Sequence, residues 1–276
     1  MNLDKKKDLI LNIVFCSFAI VAVLVVIFWI QRESKKEISE TVTSNNKTIV
    51  IDTDAETQHE DLTVERAVDE EDRSSDIRGD IHELASRYHR SLSYRELWDA
   101  LRIIDGEGDS VRLIYCRELR LKNLNGGSRG DWNREHTWAK SYGIGERGDD
   151  FTDLHAIFPC DVSNNSRRGN KFFDNETDRD SWLPPVEIRG DIARAMFYMD
   201  VRYDGEDHET IDLELTNTPN VNQGKLGMLD TLLKWHFTDP VDHRERLRNK
   251  RIEDQQGNRN PFVDNPQLVG ELFGID

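Results

Sequence analysis

Residues 133–138 read Asn-Arg-Glu-His-Thr-Trp and place a carboxylate, Glu135, directly beside an imidazole, His136. Two further polar segments follow, Asp-Leu-His at residues 153–155 and Asn-Asn-Ser-Arg-Arg-Gly-Asn at residues 164–170. Together they supply oxygen ligands for a hard cation, a side chain that titrates near neutral pH, and guanidinium donors for phosphate oxygens. These residue types predict a site for metal-assisted hydrolysis of a phosphodiester.

The three segments, in this order, resemble the endonuclease I family of bacterial secreted and periplasmic nucleases, within the His-Me finger (ββα-metal) superfamily. The likeness runs from about residue 92 to residue 266. It continues beyond the first three segments in Gly-Asp-Ile-Ala-Arg-Ala-Met-Phe-Tyr-Met at 190–199, Leu-Lys-Trp-His at 233–236 and Gln-Gly-Asn-Arg-Asn-Pro-Phe at 256–262. A Glu-His pair alone would be weak support, but several segments in the right order are specific.

Fold class and activity follow as expectations from the local patterns and from this resemblance. The local patterns predict an α+β domain over residues 81–276, mostly helical, and the resemblance places a ββα metal finger inside it. The resemblance also implies an endonuclease that hydrolyses phosphodiester bonds in DNA with little sequence specificity, with RNA as a second candidate substrate. The alternative is a catalytically weak binding or interaction module that keeps the fold. Retention of Glu135, His136 and Asn165 together favours the enzyme.

His136 is the expected general base, the role that the family pattern assigns to this position. An unperturbed imidazole titrates near pH ~6.5, so it can accept a proton from water at neutral pH. Its neighbour Glu135 should point to the opposite face of an extended strand, so that a metal ligand and a base act from different directions. The alternatives are a histidine bonded to a backbone carbonyl and a salt bridge of Glu135 to Arg134 or Lys140.

The resemblance assigns the metal site to Glu135 and Asn165, with a single divalent cation. A carboxylate and a neutral amide oxygen suit Mg²⁺, with Ca²⁺ or Mn²⁺ as alternatives. Asn165 is preferred to Asn164 because Arg168 and Asn170 then also fall on the family pattern. The alternative is an asparagine that only caps a helix.

Arg168 is expected to contact phosphate or the negative charge that develops during the reaction. A solvated surface position is the simpler interpretation of Arg167 and Lys171. The family's additional transition-state arginine has no secure match, and Arg147 is a candidate. The residues expected to support the ligands or to touch substrate weakly are Arg134, His155, Arg167, Asn170 and Lys171.

The N-terminal part of the chain differs in composition from the rest. After a short tail, residues 1–8, residues 9–30 form a run without any charged residue. As a helix this run is long enough to cross a hydrocarbon core of about 30 Å. A cleaved signal peptide is the competing interpretation, but its apolar stretch is usually only about 7–15 residues and ends at a small-x-small site, which residues 28–33 lack. We therefore expect a transmembrane anchor.

Residues 31–80 are predicted to form a disordered acidic tether. Within it, residues 37–80 hold 14 Asp and Glu against 4 Lys and Arg, which accounts for most of the net charge of −16. Such a segment cannot bury enough apolar surface to offset its ordering entropy. The folded domain is still acidic, so contact with nucleic acid must depend on a local basic patch and metal rather than on a global field.

Location follows from the resemblance more than from charge. Basic residues flank residues 9–30 equally on both sides, so the local charge does not decide the orientation of the span. The resemblance to exported nucleases places the domain outside the cytoplasm, periplasmic or extracellular. A single-pass membrane protein is the expectation, and a secreted protein after signal cleavage is the alternative.

Local patterns predict the elements around the motifs. Ser93 and Glu96 are typical of a capping box that opens a helix, which Gly106 ends. Cys116 and Cys160 either pair outside the cytoplasm or stay free thiols. The remaining predicted elements are a strand at 111–116, a loop at 123–131, and helices at 192–203, 226–235 and 241–254. The helix at 192–203 carries apolar residues at 3, 4, 7 spacing, which predicts one buried stripe that packs in the core.

Overall fold

The computed structural model describes residues 77–205 and 211–275. Helices dominate these ranges and the strands are short, so the predicted α+β class is confirmed. The tail at 1–8, the predicted anchor at 9–30 and nearly all of the predicted tether lie outside the described residues. Within the ranges that are described, no helix is both long and apolar enough to cross a membrane.

Helix α1 covers residues 77–86, so the folded part begins before the predicted boundary at residue 81. Ile77 packs against the main hydrophobic core. Arg78 forms an ion pair with the buried carboxylate of Asp200 at 2.8 Å. These two contacts explain why the last residues of the acidic segment are ordered, although their composition favours disorder.

Helix α2 covers Leu97–Ile104. The predicted capping box is confirmed, because the Ser93 amide donates to Glu96 Oε2 at 2.7 Å and the Glu96 amide donates to Ser93 Oγ at 3.3 Å. The regular helix begins only at Leu97, since residues 94–96 first form a turn. The side of α2 that faces the protein interior consists of Leu97, Ala100, Leu101 and Ile104.

A three-stranded antiparallel sheet follows, made in order of β1 (Gly106–Glu107), β2 (Ser110–Arg112) and β3 (Leu119–Leu121). The strand predicted at residues 111–116 is therefore too long. The chain leaves the sheet after Arg112 in a turn, where the Arg117 amide donates to the Leu113 carbonyl at 3.1 Å. Arg117 adopts a φ of 58° in this turn, two residues before β3 begins.

An antiparallel hairpin carries the sequence motif. It consists of β4 (Trp132–His136) and β5 (Ile157–Asp161), and Glu135 pairs with Phe158 across it. The segment between the strands contains a short helix, α3, at Asp149–Thr152. The predicted loop before β4 is irregular, with a single bridge between Asn125 and Trp132.

Helix α4, Val162–Arg168, follows β5 without an intervening loop. Its N-cap is Asp161, whose carboxylate accepts from the amides of Ser163 at 2.9 Å and Asn164 at 3.1 Å. Gly169 ends the helix with a φ of 55°, a conformation that costs glycine little. The elements β4, β5 and α4 thus form a ββα unit.

The larger part of the hydrophobic core surrounds α5, Arg189–Arg202. The predicted core role of this helix is confirmed, but burial extends around nearly all of its sides rather than along one stripe. Its buried Arg194 forms a bidentate pair with Glu245, at 2.7 and 2.6 Å. The helices that complete the core are α6 (Leu229–Thr238), α7 (His243–Gln256), α8 (Pro261–Asp264) and α9 (Leu268–Phe273).

Four two-residue strands form two parallel pairs. Two 3₁₀ turns, Val186–Ile188 and Val221–Gln223, lie in the same half of the chain. Cys116 and Cys160 are free thiols. The strand pairs are β6 (Phe172–Phe173) with β7 (Ser181–Trp182), and β8 (Glu214–Leu215) with β9 (Lys225–Leu226).

Candidate active site

Strand β4 sends the side chains of Glu135 and His136 to opposite sides of the hairpin. Glu135 contacts Tyr115 and Arg168. His136 instead stacks on Phe151, with ring centroids 5.0 Å apart and planes inclined by 12°. Alternation along an extended strand produces this arrangement, so two adjacent residues serve two separate environments.

The imidazole of His136 is held in one tautomer. Its Nε2 lies 3.0 Å from the backbone carbonyl oxygen of Phe151. A carbonyl only accepts, so Nε2 carries the proton and Nδ1 keeps its lone pair. Nδ1 has no hydrogen-bond partner among the described residues, and solvent can reach it. The carbonyl contact that the sequence left open as a structural alternative therefore leaves Nδ1 available to accept a proton.

Burial changes the titration of His136. Burial, together with the smaller effect of the charges of Lys140, Arg134 and Arg168, lowers the pKa of the imidazole to about 4. The hydrogen bond to Phe151 opposes this shift. The expectation of titration near pH ~6.5 is thus wrong for this environment, because burial disfavours the charged form. At neutral pH the imidazole is uncharged, which is the form a general base requires.

Glu135 is almost fully buried, with 1% of its surface exposed. Its Oε1 accepts a hydrogen bond from the Tyr115 hydroxyl at 2.7 Å and lies 3.1 Å from Arg168 Nη1. Burial raises the pKa of this carboxyl, and the charge of Arg168 opposes the shift. Glu135 therefore pairs with Arg168 rather than with Arg134 or Lys140, and the Tyr115 hydroxyl and Arg168 Nη1 contact the same oxygen atom.

Asn165 lies on α4 and faces the hairpin. Its Nδ2 donates to Asn133 Oδ1 at 2.9 Å and to the Arg134 carbonyl at 3.1 Å. The carbonyl can only accept, which identifies the contacting amide atom as nitrogen and turns Oδ1 away from both partners. Asn164 differs, because its backbone amide is bound by the helix cap Asp161. The helix cap, which the sequence left open as the alternative role of an asparagine, is Asp161.

Glu135 and Asn165 each have one side-chain oxygen atom whose chemistry suits a hard divalent cation. Glu135 Oε2 and Asn165 Oδ1 receive no hydrogen bond from any described residue. Carboxylate and amide oxygens are ligands that Mg²⁺ and Ca²⁺ accept. In residues 77–205 and 211–275 no group of three His, Cys, Asp or Glu converges as a metal cluster. A site built on these two residues would leave its other positions to water and phosphate.

Arg168 lies beneath the end of β4 rather than at the surface, with 1% of its surface exposed. Its Nη1 donates to the His136 carbonyl at 2.7 Å, and its Nη2 donates to the Thr137 carbonyl at 2.5 Å. Its guanidinium also lies over the Phe173 ring at 4.8 Å. Direct contact with phosphate stays a prediction that this burial does not favour. The contacts instead support the backbone around His136.

The other residues considered for substrate contact, Arg147, Arg167, Asn170 and Lys171, lie closer to solvent than Arg168. Arg167 is exposed, and its guanidinium lies 5.7 Å from the centroid of the Trp182 ring. Lys171 donates to the Asp178 carbonyl. Asn170 and Arg147 are exposed. Among these residues, Arg167 on α4 is the one closest in sequence to Asn165.

His155 belongs to a buried polar network. Its ring packs against Tyr198, with centroids 4.5 Å apart. The adjacent Asp153 accepts hydrogen bonds from the hydroxyls of Tyr198 at 2.7 Å and Tyr203 at 2.8 Å, and from Gln256 at 2.9 Å. Asp153-Leu154-His155 therefore ties the end of α3 to the core helices, and His155 is a supporting residue.

We expect the His155 network to make folding stability depend on pH. Burial lowers the pKa of His155 to about 4, so the folded state binds fewer protons than the unfolded state between that value and pH ~6.5. The stabilisation by neutral His155 is therefore fully present above pH ~6.5 and is lost as the pH falls toward 4. The loss amounts to about 3 kcal/mol in the free energy of unfolding. Urea unfolding at several pH values measures this.

His155→Phe is the matched variant, because it keeps an aromatic ring against Tyr198 but cannot titrate. Its free energy of unfolding should fall less steeply between pH 6.5 and 4 than that of the wild type. Parallel curves would contradict the assignment, whatever the absolute stability of the variant.

Four residues that shape the site were not singled out as site residues from the sequence: Tyr94, Tyr115, Asn133 and Phe151. Tyr115 is 20 residues from Glu135, and Phe151 is 15 residues from His136. No fixed spacing links these partners, because the connecting segments are irregular. Asn133 offered a signal, since it lies in the quoted motif and alternates with Glu135 onto the same face.

A comparison with family models matches residues 180–267 to a family described as Endonuclease I. This range runs from β7 through α5, α6 and α7 to α8. It therefore covers the helical core, and the catalytic candidates of β4 and α4 precede it.

Two bacterial proteins are similar to the chain over a longer range. An extracellular ribonuclease of Bacillus amyloliquefaciens is 45% identical over 214 residues, which is 71% of this chain and 73% of that protein. An extracellular ribonuclease of Bacillus subtilis (strain 168) is also 45% identical over 214 residues, which is 71% of this chain and 74% of that protein.

Proposed function

Because this chain belongs to the endonuclease I family and is a nuclease, we propose that it hydrolyses phosphodiester bonds with His136 as general base and with one divalent cation on Glu135 and Asn165. The observation that carries the proposal is the arrangement at the end of β4. His136 Nδ1 is available on one side, and the Glu135 carboxylate lies on the other. The order β4, β5, α4 supports the further proposal that this unit is a His-Me finger.

In this proposal His136 Nδ1 accepts a proton from the attacking water. The hydrogen bond of Nε2 to the Phe151 carbonyl holds the tautomer, and the stacked Phe151 ring holds the plane of the imidazole. Burial disfavours the imidazolium that forms, and the negative charge of a nearby phosphate would offset part of that cost. As the new bond from water oxygen to phosphorus forms, the bond from phosphorus to the leaving oxygen breaks.

Glu135 and Asn165 would hold the divalent cation. When bound, the cation would polarise the scissile phosphate and stabilise the leaving oxygen. Tyr115 and Arg168 fix the orientation of the Glu135 carboxylate, and Asn133 fixes that of the Asn165 amide. Such outer contacts orient metal ligands in many proteins. The oxygen ligands favour Mg²⁺, with Ca²⁺ or Mn²⁺ as alternatives.

The proposed substrates are both DNA and RNA, without strong sequence preference. The endonuclease I family supports nucleic acid as the substrate class. The two relatives named as extracellular ribonucleases support RNA in particular. A general base and a cation act on the phosphodiester itself, which both nucleic acids contain, so nothing in this chemistry requires a particular base.

Cleavage assays on the purified full-length chain test the proposed function. We expect nicking of supercoiled plasmid and cleavage of single-stranded RNA in Mg²⁺, and loss of both in EDTA. A folded His136→Ala preparation, purified in the same way, controls for contaminating nuclease. Equal cleavage in EDTA would remove the cation from the proposal, and a folded wild type that cuts neither substrate would overturn the proposed function.

We expect Asn165→Ala to raise the Mg²⁺ concentration that half-maximal nicking requires by roughly 10–100-fold, the range typical when the surroundings of a metal site are damaged. Asn164→Ala should have a much smaller effect, because Asn164 engages the cap through its backbone amide. Titrating Mg²⁺ against the nicking rate compares the two. A larger effect of Asn164→Ala would shift the assignment by one residue.

We propose that the nuclease acts outside the cytoplasm, and the two extracellular relatives support this location. The uncharged run at residues 9–30 favours retention in the membrane as a single-pass anchor. The intact chain should then sediment with membranes, and protease added to intact cells or spheroplasts should digest the nuclease domain. Protection until lysis would indicate the inverted topology. A shortened soluble product would indicate a cleaved signal peptide.

A further inference from the structure

Arg134 belongs to a cluster of stacked side chains that includes His136. Its guanidinium carbon lies 3.4 Å from the ring centroid of Tyr94 and 4.1 Å from that of Trp98. The Tyr94 ring stacks on Phe151 at 4.6 Å and on His136 at 6.0 Å, and Phe151 stacks on His136 at 5.0 Å. Arg134 and His136 therefore share one side of β4, as residues two positions apart in a strand do.

The guanidinium of Arg134 is fixed in place but not neutralised. Its Nη1 donates to the Tyr94 carbonyl, which holds one edge. Its Nε is buried without a partner. In the described part of the chain no carboxylate pairs with its charge, and its polar contacts are with Tyr94. Arg168 differs in both respects, since it is sealed from solvent and paired with Glu135.

A guanidinium held over two aromatic rings is suited to bind phosphate. The ring contacts restrict the arginine side chain to one rotamer. The N–H groups at the edge of the guanidinium stay available, and their geometry matches that of phosphate oxygens. The cation–π contacts with Tyr94 and Trp98 stabilise the orientation without using those donors. The partial burial of Arg134, which lowers its pKa, leaves the guanidinium charged.

We propose that Arg134 binds a backbone phosphate of the nucleic-acid substrate adjacent to the phosphate attacked at His136. The proposal rests on the proposed nuclease function and assigns one substrate contact within it. Arg134 and His136 are two positions apart, which corresponds to about 6.6–6.8 Å along β4. A single nucleic-acid strand that runs along this side of the hairpin can present successive phosphates to both. Arg134 thus takes the role that the sequence assigned to the buried Arg168.

The competing explanation is that Arg134 only holds the start of α2 against the hairpin. The two explanations differ in how binding depends on salt. Each phosphate contact on a single strand contributes about 0.7 to the slope of log Kd against log salt concentration, whereas a purely structural residue contributes nothing specific. Fluorescence anisotropy of a labelled single-stranded oligonucleotide with the full-length chain, in EDTA to prevent cleavage, measures that slope.

For Arg134→Gln we expect Kd to rise about tenfold and the salt slope to fall by about 0.7. Arg134→Lys should keep the slope but still raise Kd several-fold, because an ammonium cannot adopt the stacked planar geometry. The matched control is Arg246→Gln on α7, an exposed arginine that donates to the Val241 carbonyl. It should leave both quantities within twofold of wild type.

An unchanged salt slope in folded Arg134→Gln would overturn the phosphate contact and leave the nuclease assignment intact. If that variant does not fold, Arg134→Lys decides, and a wild-type Kd for it would overturn the proposal. Failure of the proposed function looks different, because the wild-type chain itself would then neither bind the oligonucleotide nor cleave nucleic acid in Mg²⁺.

Discussion

Replacing His136 with alanine is expected to lower the cleavage rate by about 10²–10⁴, the usual effect of losing a general base. Binding of DNA and the fold should stay nearly intact, because the cation ligands and the contacts of Arg168 to the backbone carbonyls do not depend on the imidazole. Initial rates of plasmid nicking, together with circular dichroism of the folded variant, measure both consequences.

His236 supplies a matched control for this prediction. It is also a buried histidine whose Nε2 lies near a backbone carbonyl, that of Pro266 at 3.1 Å, and burial lowers its pKa to about 4. It belongs to α6 rather than to the hairpin. His236→Ala should therefore retain cleavage. Added imidazole should restore part of the activity of His136→Ala, and a rate within a few-fold of wild type in folded His136→Ala would refute the assignment.

Replacing Glu135 with alanine is expected to abolish Mg²⁺-dependent cleavage and to destabilise the domain. The stability effect arises because Arg168 would stay buried without its carboxylate partner. Removing one partner of a buried ion pair typically lowers the free energy of unfolding by about 3–5 kcal/mol. Urea unfolding and metal-dependent nicking, measured on the same preparation, report the two effects.

Glu135→Gln separates the catalytic effect from the structural one. A glutamine oxygen can still accept from Tyr115 and Arg168, so the variant should be more stable than Glu135→Ala. It lacks the negative charge that a divalent cation requires, and cleavage should stay low. Near-normal Mg²⁺-dependent nicking by Glu135→Gln would show that this carboxylate is not a ligand.

Local signals predicted much of the fold around the site. The capping box at Ser93 and Glu96, the irregular loop before β4 and the core role of α5 all follow from patterns within a few residues. The pattern also predicted opposite directions for Glu135 and His136, because alternation is a property of any extended strand. Such features depend on neighbours in sequence, which the chain itself specifies.

Predictions that depended on burial were less accurate. The sequence shows Arg168 as one of two adjacent arginines and gives no sign that this one is sealed beneath β4 while Arg167 is exposed. It also cannot reveal that burial lowers the pKa of His136 to about 4. Both results arise from packing against Phe151 and Phe173, which no spacing rule connects to these residues.

By itself the sequence determined which chemical groups this nuclease carries and on which elements they lie: a carboxylate and an imidazole adjacent in a strand, and an asparagine in the helix that follows. The tertiary structure alone decided how those groups are oriented. Tyr115 donates to Glu135, the Phe151 carbonyl fixes the tautomer of His136, and the Tyr94 ring lies against the guanidinium of Arg134. Hydrogen bonds and stacking act over only a few ångströms, so their partners are set by the path of the folded chain rather than by distance along it.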